Sequence, residues 1–270
     1  MNWRIAKASI IGTGHDKTGM PCQDSHYVMQ LRDTLIIAVS DGLGSAKLSH
    51  EGSRIACSSA VEAYAISVEA AFNATALTQP SDQHTPAPFN YESALQTAFF
   101  SARNALERES SRTQLPLRDY ACTLLIAVVE PESWYSMHIG DGTIVGLYTQ
   151  HSAKTLSIAE NGEFINSTTP ITSDDYQSHM RYAYGHELLA GVALLSDGVT
   201  PMCINYKTGK AYDGFFSPLQ SWLADAPQLS GIDESLKQFL DTPKMRQKSD
   251  DDMTLVIALR EAAPSEELPG

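Results

Sequence analysis

Leu35-Ile36-Ile37-Ala38-Val39-Ser40-Asp41-Gly42-Leu43-Gly44-Ser45 is the stretch that decides how this chain is read. Its unbroken apolar run, rich in β-branched residues, has the composition of a strand buried on both faces. The run stops at Asp41, where Gly42 and Gly44 let the backbone turn sharply. A carboxylate at the end of a buried strand is costly unless a cation meets it. The same design recurs where Val192-Ala193-Leu194-Leu195 runs into Ser196-Asp197-Gly198, and where His138-Ile139-Gly140 runs into Asp141-Gly142. Asp250-Asp251-Asp252 stands just before the apolar run Met253 to Ile257. Acidic residues at the ends of several core strands, far apart in sequence, imply one shared metal site.

Outward from that stretch, periodicity predicts a strand over Arg4–Ile11, a polar loop from Gly12 to Met20, and a strand over Tyr27–Gln30 pairing with Leu35–Val39. Cys57, Val61, Tyr64, Ala65, Val68 and Phe72 recur at spacings of three and four, which predicts a helix over Glu51–Phe72. The prolines of Thr75–Pro88 predict a loop. A second helix follows over Tyr91–Glu109, with Leu95, Ala98, Phe99, Ala102 and Leu106 facing inward. Strands over Ala121–Val129, Trp134–Ile139 and Thr143–Tyr148, separated by turn-like residues, read as an antiparallel meander. Thr155–Tyr184 reads as short strands with an irregular flap, and Asn205–Gly209 as a turn. Short helices are expected over Ser217–Leu223 and Asp233–Leu240, and a last strand over Met253–Leu259.

This order lacks the regular alternation of a parallel α/β sheet. Two antiparallel sheets packed face to face with helix pairs outside fit it better, which makes the fold α+β. Residues 1–260 read as one domain with its flap at about 155–184, and residues 261–270 as a disordered tail.

The chain has 270 residues, and its apolar share of 43% is ample for a core. The net charge of −13 argues against nucleic acid or an anionic membrane as partner. Neither a signal-peptide h-region nor an uninterrupted apolar span is evident, and the 4 scattered cysteines form no zinc or redox motif. Free thiols in a reducing compartment follow, hence a cytoplasmic location.

Asp24, Asp41, Asp197 and Asp251 offer the oxygen ligands that hard divalent ions prefer. Four carboxylates suffice for two ions, which acidify water and neutralise a phosphoryl group. Each Asp-Gly pair alone is an ordinary turn; three of them ending apolar strands, with the triple aspartate, are more than that. The residues therefore describe a hydrolase with a carboxylate-bound metal centre.

Pro21-Cys22-Gln23-Asp24-Ser25, Ser40-Asp41-Gly42-Leu43-Gly44-Ser45, Ile139-Gly140-Asp141-Gly142, Ser196-Asp197-Gly198 and Asp251-Asp252-Met253-Thr254 occur in that order. In these pieces the chain resembles the metal-dependent protein serine/threonine phosphatases of type 2C, in their bacterial branch. The resemblance implies a four-layer αββα sandwich and two divalent cations, Mn²⁺ or Mg²⁺. By position Asp41 would bridge the ions, the Gly42 carbonyl would hold one, and Asp197 and Asp251 would complete the other's shell. Asp24 would ligate metal or orient metal-bound water, and Asp252 would support the ligands. A bridging hydroxide would attack phosphorus in line without a covalent enzyme intermediate. The implied substrate is a phosphorylated protein, such as a cognate serine/threonine kinase or its targets.

Departures from the family pattern are equally specific. Leu43 stands where many members have a proton-donating histidine, with His15 and His50 as substitutes to consider beside metal-bound water. Lys17 is the candidate phosphate contact in place of an arginine. Gln23 replaces a common glutamate ligand. Asp141 either helps hold a third ion or braces its turn, and Pro201 stands where third-ion members have another aspartate. The alternative to an active enzyme is a pseudophosphatase that holds a phosphoprotein or kinase as a scaffold.

Overall fold

A computed structural model describes residues 2–77, 88–158 and 168–261. The chain forms β1 (Trp3–Ile10), α1 (Thr13–Thr18), β2 (Ser25–Leu31), β3 (Thr34–Ser40), α2 (Ser49–Leu77), α3 (Tyr91–Thr113), β4 (Leu124–Val129) and β5 (Trp134–Ile139). Then come β6 (Thr143–Leu147), β7 (Ala153–Ile158), β8 (Arg181–Gly185), β9 (Gly191–Leu195), α4 (Thr200–Cys203), β10 (Ile204–Asn205), β11 (Lys210–Ala211), α5 (Asp213–Asp225), α6 (Ile232–Leu240), α7 (Pro243–Arg246) and β12 (Met253–Arg260).

The strands make two five-stranded sheets, β2-β3-β4-β5-β8 and β1-β12-β9-β6-β7, and every pairing is antiparallel. Strand alternation then decides the layers. In β3, Leu35, Ile37 and Val39 point to the second sheet and pack with Ile144, Val192, Leu194 and Val256. Ile36 and Ala38 point the other way, onto Cys57, Val61 and Tyr64 of α2 and Leu95 and Phe99 of α3. The outer face of the second sheet, with Ala6, Val145, Ala193 and Leu255, is covered by Phe216 and Leu223 of α5 and Leu236 and Leu240 of α6. This is the expected αββα sandwich, with helix pairs outside two antiparallel sheets. Strands buried on both faces explain why β3 and β4 show no polar alternation.

Several expectations are corrected. The Gly12–Met20 loop contains α1, six residues with no buried side chain and hence no apolar period to betray it. The helix α2 runs to Leu77, so the Thr75–Pro88 loop begins inside it, and the rest of that loop up to residue 87 lies outside the described residues. The Arg32 guanidinium covers Phe72 at 3.5 Å from the ring centroid, so Phe72 ends the apolar stripe outside the core. The meander is also broken. β5 belongs to the first sheet and β6 to the second, so Gly140-Asp141-Gly142 carries the chain between sheets rather than around a hairpin. Of Thr155–Tyr184, residues 159–167 lie outside the described residues; β7 before them and β8 after them belong to different sheets, and a segment with a 3₁₀ turn at Tyr176–His179 leads into β8. Arg103 of α3 pins that segment by donating to the carbonyls of Ile171 at 2.9 Å and Ser173 at 2.8 Å. The supposed tail, apart from residue 261, lies outside the described residues.

From Ser49 to Ala74, α2 is long and apolar enough on average to cross a membrane, but one of its faces packs on the first sheet and α3.

Candidate metal centre

Register brings the acids together. Ser25 pairs with Ser40, so one step further along the same edge Asp24 stands beside Asp41. On the second sheet Thr143 pairs with Leu195, and two steps further Asp141 faces Asp197. The Gly140–Gly142 crossing joins the two edges. Carboxylate atoms of Asp41, Asp141 and Asp197 lie within 4.8 Å of one another.

The backbone holds these ends firmly. The Asp41 N–H donates to Thr123 Oγ1 at 2.9 Å, and Thr123 N–H returns a bond to the Asp41 carbonyl at 2.8 Å. The Leu43 N–H donates to the Ala121 carbonyl at 2.9 Å. At Gly42 a Cβ would sit 2.7 Å from the Gln23 carbonyl oxygen, so only glycine lets the β3 end approach Gln23 and Asp24 this closely. On the other sheet Ser196 N–H donates to the Thr254 carbonyl at 3.1 Å, and Thr254 N–H to Ser196 Oγ at 2.9 Å. A Cβ at Gly198 would lie 1.9 Å from the Asp252 carbonyl oxygen, which ties the Asp197 turn to the start of β12.

These carboxyls are strained electrostatically. Burial pushes Asp24 up to about 6, with the Asp252 charge adding to it and Ser196, Asp41 and Thr254 opposing. Burial and then the charges of Asp24, Asp197 and Asp141 hold Asp41 well above the usual carboxylate range. Asp197 is pushed up to about 8 by burial and by Asp141, Asp251 and Asp24, against the Gly198 N–H. Both carboxylate oxygens of Asp24, and one each of Asp141 and Asp197, are buried without a hydrogen-bond partner. Such a set is expensive unless a cation fills it. The residues therefore fit divalent metal, and their all-oxygen character suits a hard ion.

Asp251 falls in a second group, with atoms of His15, Asp251 and Asp252 within 4.8 Å of one another. Burial raises the Asp251 carboxyl, while the Asp252 N–H and His15 oppose the shift. Asp252 is tied to backbone: it accepts from Gly12 N–H at 2.6 Å and Gln23 N–H at 2.5 Å, and His15 Nδ1 stands 3.0 Å from its Oδ1. The Gln23 side chain is fully buried with neither amide atom bonded. Asp141, read as holding a third ion or bracing its turn, lies within the first group, with one oxygen accepting from the Thr168 hydroxyl. Lys17 is exposed on α1 and has no hydrogen bond or ion pair to these acids among the described residues. Leu43 is half-buried beside the centre and brings no titratable group.

Sequence reasoning missed Thr123, which no motif marks, and gave no role to Ser196 and Thr254 within the motifs that contain them. It also missed Arg181 of β8, which donates to the Gly140 carbonyl at 2.8 Å beside Asp141. Burial raises the thiols of Cys22, Cys57, Cys122 and Cys203, so none is an activated nucleophile.

Residues 11–241 match the sequence profile of the Protein phosphatase 2C family. The chain belongs to the protein phosphatase 2C family. As a member it is a protein serine/threonine phosphatase. It is 29% identical over 267 residues to Serine/threonine-protein phosphatase 3 of Escherichia coli K12, covering 96% of this chain and 99% of that one. Its fold is similar to that of a bacterial serine phosphatase (TM-score 0.63, 12% identity, 97% of this chain and 100% of the other). It is similar too to serine/threonine phosphatase Stp1 from Staphylococcus aureus (TM-score 0.61, 12% identity, 97% and 96%).

Proposed function

We propose that this protein phosphatase 2C member hydrolyses phosphoserine and phosphothreonine in proteins with two divalent cations, Mn²⁺ or Mg²⁺. Asp24, Asp41, the Gly42 carbonyl, Asp197 and Asp251 would hold them, with Asp141 close enough to share a third. The observation that carries this reading is the convergence of buried, unpartnered carboxylates from separate strand ends of both sheets. When bound, the cations would supply acidified water and positive charge for the phosphoryl oxygens.

The chain's own residues set the stage for that chemistry. Asp41 stands between Asp24 on its own sheet and Asp197 and Asp141 on the other, which supports the reading that it would be shared between the ions. Asp252 fixes the Gly12 and Gln23 backbone rather than offering a free carboxylate. With Leu43 at the histidine position, the proton for the departing serine or threonine oxygen comes from water. Inert thiols agree with a route lacking a covalent intermediate. The substrate would be a cognate serine/threonine kinase or its targets, and the location the cytoplasm, where the free cysteines stay reduced.

The test is hydrolysis of p-nitrophenyl phosphate and a phosphothreonine peptide with Mn²⁺, with Mg²⁺ and with EDTA. Turnover that requires metal and disappears in EDTA is expected. Folded protein without turnover under either metal would overturn the reading and leave a scaffold that binds phosphoprotein.

A further inference from the structure

On the outer side of the second sheet, α4, α5, α6 and α7 surround a cavity of about 610 Å³. Met202, Phe215, Trp222 and Phe239 pack one side on the core beneath and turn the other to this space. Small-molecule sites have this character, roughly 300–1,000 Å³ with mostly apolar walls and a few polar groups. Lys244 and Lys248 also line the cavity, and neither is in an ion pair among the described residues. The remaining polar side chains of the wall, Tyr212, Ser235 and Thr242, bear hydroxyls. Two uncompensated ammonium groups beside an apolar cavity stand out on a chain with net charge −13. A lysine stem lies along apolar surface while its head stays wet, so the lysines offer charge at the rim and apolar contact below.

We propose that this cavity binds an anionic amphiphile, a medium- or long-chain fatty carboxylate, with its chain among Phe215, Trp222 and Phe239 and its head at Lys244 and Lys248. The site is separate from the metal centre and does not depend on how that centre is read.

The experiment is a titration of the full-length protein with octanoate, decanoate and dodecanoate below their micellar concentrations. Binding is read by calorimetry and by Trp222 emission, with Trp222→Phe as the signal control. One carboxylate per chain is expected, tightening about fourfold per added methylene until the cavity is full. Lys244→Gln with Lys248→Gln should weaken dodecanoate by roughly tenfold and leave dodecanol unchanged. Ser235→Phe, at an exposed position of α6, should block binding while circular dichroism stays that of the parent. Equal binding of dodecanol and dodecanoate, indifferent to the lysine changes, would overturn the proposal, as would no saturable binding at all. A dimer in light scattering that dodecanoate fails to compete with would give the cavity to a second copy and overturn it as well.

Discussion

Asp41, Asp141 and Asp197 crowd together, with burial and neighbouring charge raising Asp41 and Asp197, whereas Asp252, in the neighbouring group, is ringed by donors. Both groups are acidic, and both would score alike in a count of carboxylates. The first stores repulsion that a cation or protonation would relieve. In the second, Asp252 spends its charge on the Gly12 and Gln23 backbone, close to His15. Donors, rather than acidity, would separate a carboxylate free for metal from one that holds the protein.

The largest test of that contrast is Asp41→Asn. Steady-state turnover should fall about a thousandfold, while the melting temperature in EDTA holds or rises, because one repelling charge is gone. A destabilised, active Asp41→Asn protein would reverse the roles of the two groups. Asp252→Ala should do the opposite to stability. Leaving the Gly12 and Gln23 N–H groups without their acceptor should cost about 3 kcal/mol in denaturant melts, with or without metal.

Next in size is a pH effect. Carboxyls raised in the folded state bind protons there that the unfolded chain has already released, so their contribution is full below about pH 4 and is lost as pH rises. For metal-free protein that loss runs through about 6 for Asp24 and about 8 for Asp197. Unfolding free energy should therefore drop by at least about 3 kcal/mol from pH 4 to 8, which the Asp24 shift alone supplies, and saturating Mg²⁺ or Mn²⁺ should flatten the slope. The smallest effect belongs to Leu43→Ala. Turnover should stay within about threefold of the parent, against the 10²–10⁴-fold that a general acid contributes.

The layers were legible because β3, β4 and β9 are apolar throughout, and because α3 repeats its apolar face in sequence. Asp41, Asp141 and Asp197 were legible because each follows a core strand beside a glycine, and Asp251 because it stands in a triple aspartate before one. What the sequence hid was the sheet to which each strand belongs. Nothing in Gly140-Asp141-Gly142 distinguishes a hairpin turn from a crossing, since both need the same tight backbone, with Gly140 at φ 109°. Sequence left open whether Asp141 helps hold a third ion or braces its turn, and the crossing is what carries it to Asp197. Asp252 was read as a supporting residue, but its partners, the backbone of Gly12 and Gln23, have no signature in side-chain identity. The helix α1 was invisible for a related reason. It buries nothing and is tied down by Gly14 N–H on the Asp250 carbonyl at 2.9 Å.

The place of β12, between β1 and β9, sets a timetable for the chain as it is made. Until residues 253–260 emerge from the ribosome, β1 has no neighbour and the second sheet cannot close. The carboxylates at 24, 41, 141 and 197 are synthesised long before the strand that draws their two edges into one shape. Contacts this distant along the chain form slowly. Asp251, just before β12, is thus the last of the candidate ligands to be made.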